Sequence, residues 1–235
     1  MSYSLLLLLK GPMQSWGDES RYGTRATGTT PSKSGVIGLL AAAQGRQRTD
    51  PIEDLVAMDF AVRVDQSGSL MRDYQTAQPW QRNPDGSATL VTRHYLSDAA
   101  FVAAIGSDDR GLLEGLEERL RTPAYPLFLG RRSCPAPPNL NLGIVEKPVV
   151  DALLSHEKWH ATLAHKKERA AEVELPIYRD GRPGEPGTLR QDVPISFSQE
   201  HRKYGWRTVV YAGSKTMHNE YGSSRDPFFE TVISS

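Results

Sequence analysis

Five consecutive leucines, Leu5–Leu9, impose the first constraint on this chain. An unbroken apolar run of this length, closed by Lys10-Gly11-Pro12, predicts a central β-strand covered on both faces. The chain must then leave the core through a polar stretch rich in glycine and hydroxyl groups, and return. Val36, Ile37, Leu39, Leu40 and Ala43 fall on one broad face and predict a helix, with Ser32 or Ser34 as its N-cap and Gly45 near its end. A hydroxyl-rich turn between a core strand and a helix N-terminus predicts a seat for phosphate oxygens. Unpaired N–H groups and a partial positive charge collect there. Charge points the same way. Between residues 10 and 48 there are six cations (Lys10, Arg21, Arg25, Lys33, Arg46, Arg48) against two anions, in a chain of net charge zero. The stretch is not a nucleotide P-loop, since no glycine-lysine-hydroxyl triplet closes it.

The single cysteine, Cys134, excludes an intrachain disulfide and a cysteine-based zinc cluster. Leu5–Leu9 is far too short to span a membrane, and no secretory signal pattern is present, so a cytoplasmic address is expected. With 235 residues and 24% charged side chains, the composition is that of a globular chain.

Further along, Asp50-Pro51-Ile52-Glu53 predicts a short helix with Asp50 as N-cap, and Phe60–Asp65 alternates as a strand. Two candidate strands, around Leu70–Thr76 and Thr89–Leu96, flank a polar tip holding Pro79, Trp80, Arg82, Pro84 and Gly86. They predict a long projecting hairpin whose stems carry Arg72, Tyr74, Arg93, His94 and Tyr95. Ala99–Gly106 predicts a strand and Asp109–Arg121 a helix with Leu112, Leu113, Leu116 and Leu120 on one side. That helix region is acidic and a poor nucleic-acid surface. Pro126–Leu129 predicts a strand that breaks into the basic turn Gly130-Arg131-Arg132-Ser133. Leu140–Val145 and Thr208–Ala212 predict two more strands. Lys166–Arg190, charged and rich in proline and glycine, predicts a long loop.

The resulting order is strand, helix, strand, hairpin insertion, strand, helix, strand. It is the βαββαβ order of an α+β, ferredoxin-like domain, with a smaller irregular C-terminal part. Residues 1–145 would form the domain, with the hairpin at about 70–95, and 146–235 an extension.

Three segments carry candidate chemistry. In the first, Gln14, Ser15, Arg25, Lys33 and Ser34 offer donors to phosphate and ribose oxygens, and Trp16 either stacks on a base or packs beneath the loop. In the second, Arg72, Tyr74 and Arg93 line a ribbon suited to wedging between nucleotides, or to docking a protein. In the third, Arg131 and Arg132 suit bidentate phosphate contact. Metal-free RNA cleavage needs a base, an acid and a cation, which Arg93-His94-Tyr95 offer as residue types. His94 is therefore the candidate catalytic residue of an alternative endoribonuclease reading. His156, Glu157, His160 and His165 lack the spacing of a zinc site. Cys134 has no activating partner in sequence.

Several of these motifs together resemble the CasD family, the type I-E subunit of the CRISPR surveillance complex Cascade, in the RAMP superfamily. They are Gly11-Pro12-Met13-Gln14-Ser15-Trp16-Gly17, Gly23-Thr24-Arg25-Ala26-Thr27-Gly28, Pro31-Ser32-Lys33-Ser34-Gly35-Val36-Ile37-Gly38-Leu39-Leu40, Arg72-Asp73-Tyr74-Gln75-Thr76 and Leu129-Gly130-Arg131-Arg132-Ser133-Cys134-Pro135. The resemblance covers residues 1–145 well and thins beyond. It implies an RNA-recognition (RRM-like) fold whose hairpin is a thumb that kinks the guide where the repeat-derived 5′ handle meets the spacer. It also implies a non-catalytic subunit that binds and caps the handle of the CRISPR RNA (crRNA) and anchors one end of an antiviral ribonucleoprotein. The implied protein partners are the backbone subunit CasC and the large subunit CasA, with target DNA reached through the complex and no cofactor or metal. In the type I-C subtype the homologous subunit is a nuclease using tyrosine, lysine and histidine. Here Arg93 precedes His94 where such a lysine would stand.

Overall fold

The computed structural model describes residues 1–17, 20–21, 24–78, 87–198 and 200–222. The leucine run forms β1 (Tyr3–Lys10). Three two-residue strands follow, β2 (Met13–Gln14), β3 (Ser20–Arg21) and β4 (Thr24–Arg25). Then come α1 (Lys33–Gln44), α2 (Glu53–Val56), β5 (Asp59–Gln66) and the hairpin strands β6 (Ser69–Ala77) and β7 (Thr89–Ser97). β8 (Ala100–Ser107), α3 (Arg110–Arg121), β9 (Asn141–Val145), α4 (Val149–Ser155) and α5 (Leu163–Lys167) lead to the last strands, β10 (Glu172–Asp180), β11 (Thr188–Ser196) and β12 (Lys203–His218).

The architecture is mixed α/β on antiparallel sheets. Seven strands run in the order β11-β12-β10-β5-β8-β1-β9. Alternation along β1 sends Leu5, Leu7 and Leu9 into the larger core, with apolar residues of α1 and α3. Leu6 enters a smaller core with Val149, Ala152 and Leu153 of α4. Both faces of the central strand are thus covered, as its unbroken apolar run requires. Register levels three strand ends: Lys10 and Gln66 both oppose Ala100. The β6–β7 hairpin leaves the sheet from this end, and β7 joins β2 and β4 in a second sheet.

Local signals explain several boundaries. Ser32 caps α1 by accepting from the Gly35 N–H at 3.2 Å, and Gly45 ends the helix at φ +82°. Asp109 caps α3 by accepting from Leu112 N–H at 3.1 Å.

Four expectations need correction. Asp50 does not cap α2; its carboxylate accepts from Gln47 N–H at 2.7 Å, and the helix begins at Glu53. Pro126–Leu129 is not a strand. Only Phe128 bridges Pro135, because Leu129 is tied by its N–H to Cys134 O and by its carbonyl to Ser15 N–H, inside a tight loop. Lys166–Arg190 is not a long loop, and the C-terminal part is not irregular. β10 pairs β12 over its whole length and β5 at residues 177–179, continuing the main sheet. Its charges are paired off the pleat, as in Arg179–Glu185 at 2.6 Å, while Leu175 and Ile177 point into apolar clusters. Thr208–Ala212 lies within the 16-residue β12. The expected hairpin tip (Pro79, Trp80, Arg82, Pro84, Gly86) lies outside the described residues, as does Gly23 of one motif. Among the described residues no helix is long and apolar enough to cross a membrane.

Candidate nucleic-acid interface

The candidate residues separate into a buried set and an exposed set. Gln14 is fully buried. Its Nε2 donates to the carbonyls of Leu9 (3.0 Å) and Ala99 (2.7 Å), and its Oε1 accepts from Trp16 Nε1 at 2.9 Å. Trp16 is 1% exposed and lies where a Cβ on Gly35 would come within 2.8 Å of its ring. Neither side chain is open to a nucleotide; together they close the β1 and β8 ends and seat α1. Ser15 donates to the His94 carbonyl at 3.3 Å, and Ser34 to Ser32 Oγ at 3.4 Å.

Lys33 is spent in the same way. Its ammonium donates to Met58 O (3.0 Å) and pairs with Asp180 (2.8 Å). Its backbone N–H, at the start of α1, donates to Asp192 Oδ2 at 2.9 Å. The anion expected at this helix N-terminus is therefore a carboxylate of the chain itself, carried by β11. Arg207 joins it, with Nε 2.6 Å from Asp192 Oδ1 and Nη1 2.5 Å from Asp180 Oδ1. Burial pushes the Asp192 carboxyl up, but Arg207, Arg190 and the Lys33 N–H outweigh it and hold the group below the usual carboxylate range. Sequence reading misses Asp192 and Arg207 because no local spacing marks a partner some 160 residues away.

Arg131 has a comparable internal role. Gly130 adopts φ +90°, and a Cβ there would lie 1.8 Å from the Ser15 carbonyl oxygen, so only glycine lets this turn close against residues 13–17. The turn aims Arg131 inward. Its guanidinium donates to His94 O (3.1 Å), Arg25 O (3.0 Å) and Ala26 O (3.4 Å), and lies 4.8 Å over the Tyr95 ring. Arg131 thereby joins three segments: the glycine turn, β4 and β7. Burial raises the Tyr95 phenol, but Ser133, Arg131 and Arg93 outweigh it and hold it below its ordinary value. Burial pushes the Cys134 thiol up, which keeps it an inert core group.

The exposed set remains available. β4 pairs β7 in parallel with Arg25 beside Arg93. Arg25 and Arg132 are exposed, and Arg93 is half-buried with an Nε that has no hydrogen-bond partner. None of the three forms an ion pair among the described residues. Asp73, opposite Arg93 across the hairpin, accepts instead from Gln75 at 2.5 Å. Farther out, Tyr74 is 59% exposed with Arg72 stacked 5.9 Å over its ring. The result is a cationic hairpin root leading to an aromatic–arginine stem, suited to a single strand's phosphates and bases.

Arg93, His94 and Tyr95 do not converge. Strand alternation puts Arg93 and Tyr95 on one face of β7 and His94 on the other, opposite Arg72. His94 therefore does not share a strand face with Arg93 and Tyr95. Of the candidate metal ligands, His156 and His160 stack with Nε2 atoms 2.9 Å apart and Glu157 pairs with Lys215, while Arg169 donates to His165 at 3.3 Å. No cluster of three or more metal-ligating groups occurs among the described residues.

Comparison with known proteins adds a family. Residues 4–210 match the family model described as CRISPR-associated protein (Cas_Cas5). The CRISPR system Cascade subunit CasD of Escherichia coli (strain K12) is 38% identical over 172 residues, which cover 65% of this chain and 76% of that protein. A chain of a solved CRISPR RNA-guided surveillance complex is 30% identical, with 98% of each chain covered and a TM-score of 0.77. A second solved structure, described as a Cas protein, is 33% identical over 95% of this chain and 100% of that one, with a TM-score of 0.63.

Proposed function

The chain belongs to the Cas5 family of CRISPR-associated proteins, and on that premise we propose that it is a non-catalytic subunit of a Cascade-type surveillance complex, binding the 5′ handle of crRNA at the hairpin root. Arg25, Arg93 and Arg132 meet the phosphates there. Arg72 and Tyr74 meet bases and backbone along the hairpin, which acts as a thumb. Gln14, Ser15, Trp16, Lys33, Ser34 and Arg131 build the platform beneath. The observation that carries this reading is the parallel pairing of Arg25 with Arg93, near exposed Arg132 in the turn whose Arg131 binds the Arg25 carbonyl, with no ion pair for any of the three among the described residues. Arginines left uncompensated at one place favour an anionic ligand.

The same reading takes the four strands β9-β1-β8-β5, with α1 and α3, as a ferredoxin-like RAMP domain of residues 1–145. The strands from β10 onward form its C-terminal extension, and a backbone subunit such as CasC and a large subunit such as CasA are its neighbours in a cytoplasmic particle. Its test is incubation of the purified chain with labelled repeat-derived RNA in EDTA, scored for both retention and cutting. Retained, intact RNA is expected. Cleavage abolished by His94→Ala, or no retention at all, overturns it.

A further inference from the structure

The connection from α4 to β10 is anchored far more firmly than an exposed loop requires. Arg63 of β5 is fully buried and donates all five of its N–H groups. Two go to Asp65 (2.8 and 3.2 Å), and the others to the carbonyls of Leu153 (3.0 Å), His156 (2.6 Å) and Lys158 (2.7 Å). Asp65 in turn accepts from His160 N–H and, through its carbonyl, from Trp159 Nε1, both at 2.7 Å. Gln66 accepts from Thr162 N–H at 2.8 Å, and Lys10 donates to His160 O at 2.7 Å. A buried ion pair adds little net stability, because its lost hydration offsets its attraction. What this one secures is a single path for residues 156–162.

That path and the α5 turn that follows it carry exposed cations without ion pairs among the described residues. Lys158, Lys167 and Arg169 are exposed, and none forms an ion pair among the described residues. Lys166 sits 5.1 Å over the Trp159 ring. Of the nearby carboxylates, Glu157 is taken by Lys215 at 2.7 Å and Asp65 is buried, while Glu168, Glu172 and Glu220 are exposed and pair with none of these cations among the described residues. The cations repel one another: the Lys10 ammonium is lowered by burial first and then by Lys166 and Lys158, with Asp65 opposing.

Position selects the partner. Lys10, Gln66 and Ala100 mark the sheet end from which the β6–β7 hairpin leaves, and Lys10 and Gln66 hold the 156–162 segment at that end. The segment carrying Lys158 is thus held at the sheet end from which the hairpin leaves, and Lys158 and Lys166 lie close enough to lower Lys10. Leu163 is the one large apolar side chain exposed on the segment, so it offers no groove for a protein side-chain array.

We infer that Lys158, Lys167 and Arg169 form a second contact surface for a phosphodiester backbone, either guide RNA beyond the held handle or a DNA strand brought to it. The location rests on the function proposed above. The test uses the full chain carrying Lys158→Gln, Lys167→Gln and Arg169→Gln, with an unchanged melting temperature as the folding control. Binding is measured across a salt series for handle RNA alone, handle RNA extended into the spacer, and single-stranded DNA. The surface predicts that the log–log salt slope falls by about 0.7 per lost contact, roughly two units in all, for a longer probe, with handle RNA unchanged. A drop confined to extended RNA assigns the surface to the guide, and one confined to DNA assigns it to DNA. Unchanged slopes for both, with handle RNA still bound, overturn this inference alone and leave the surface to an acidic protein. Wild-type chain that binds no probe overturns the handle reading as well.

Discussion

Arg131 and Arg132 are neighbours of the same chemistry, and the structure predicts opposite consequences for losing them. Arg131→Ala removes two good charge-assisted hydrogen bonds, to His94 O and Arg25 O, one weaker bond to Ala26 O, and the stacking on Tyr95. Hydrogen bonds to a charged donor contribute about 1.5–3 kcal/mol each, and a partly exposed cation–π contact about 0.5–1 kcal/mol. The site is half-buried and its three carbonyls can recruit water, so a net loss of about 2–4 kcal/mol is expected. In a chain of this size that lowers the melting temperature by roughly 5–15 °C. Arg132→Ala, at an exposed position with no ion pair among the described residues, changes stability by less than about 0.5 kcal/mol. It should instead lower the salt slope of RNA binding by about 0.7. The assay pairs thermal melts of both variants with fluorescence anisotropy on handle RNA over a range of salt. Lysine at 131 cannot reach three carbonyls at once and should recover little of the lost stability. If Arg131→Ala melts with the wild type and its salt slope falls as far as that of Arg132→Ala, then Arg131 is a phosphate ligand and the platform argument is wrong.

Three further outcomes follow from other contacts. Gly130→Ala meets both a left-handed backbone and the Ser15 carbonyl, so a loss of more than about 2 kcal/mol is expected in urea melts; a change under 0.5 kcal/mol counts against the turn geometry, by the usual size of a neutral surface substitution, about that value. Gln14→Leu orphans the buried Leu9 and Ala99 carbonyls and Trp16 Nε1, for a loss of about 2–4 kcal/mol in the same melts; near-neutrality would show that water replaces the amide. Acid should weaken the fold before its carboxylates titrate. Burial, then His156, Lys158, Arg63 and Lys10, lower His160 to about 3, and burial also lowers His156. Below pH about 6.5 the unfolded chain therefore takes up protons that the folded one refuses, and stability falls by up to about 1.4 kcal/mol per pH unit per histidine. Urea midpoints that stay flat from neutral pH to about pH 4.5 would contradict the buried pair.

The sequence discloses what is local. Leu5–Leu9 announces a two-faced strand, Ser32 and Gly45 bracket α1, and the alternating stems on either side of residues 79–86 mark β6 and β7. It also yields the exposed arginines, whose cationic character needs no partner to be recognised. It conceals whatever depends on distant backbone. Arg131 and Arg132 read alike until the carbonyls of residues 25, 26 and 94 are brought beside one of them. Lys33 reads as a phosphate ligand until Asp180 and Asp192 arrive from the last strands. β10 and the first residues of β11 read as loop because Lys166–Arg190 is charged and rich in proline and glycine, with Pro176 inside β10; Pro194 lies farther along β11. Pro194 is tolerated on an edge strand, and Pro176 lies outside the 177–179 segment that pairs with β5. Pro126–Leu129 misleads in the opposite sense, since its apolar residues serve a loop.

The carboxylate that closes the first helix belongs to residue 192, and its companion arginine to residue 207. During synthesis α1 emerges early, yet its leading amide waits unmatched, and the Lys33 ammonium keeps only the Met58 carbonyl, until the strands carrying Asp180 and Asp192 have left the ribosome. A nascent chain stopped after β9 exposes this seam as an open wound in an otherwise closed half, and a fragment ending there should need chaperone protection rather than stand as a free module. Non-local closure of this kind slows maturation. It also means that only a copy synthesised through β12 holds the start of α1 in place.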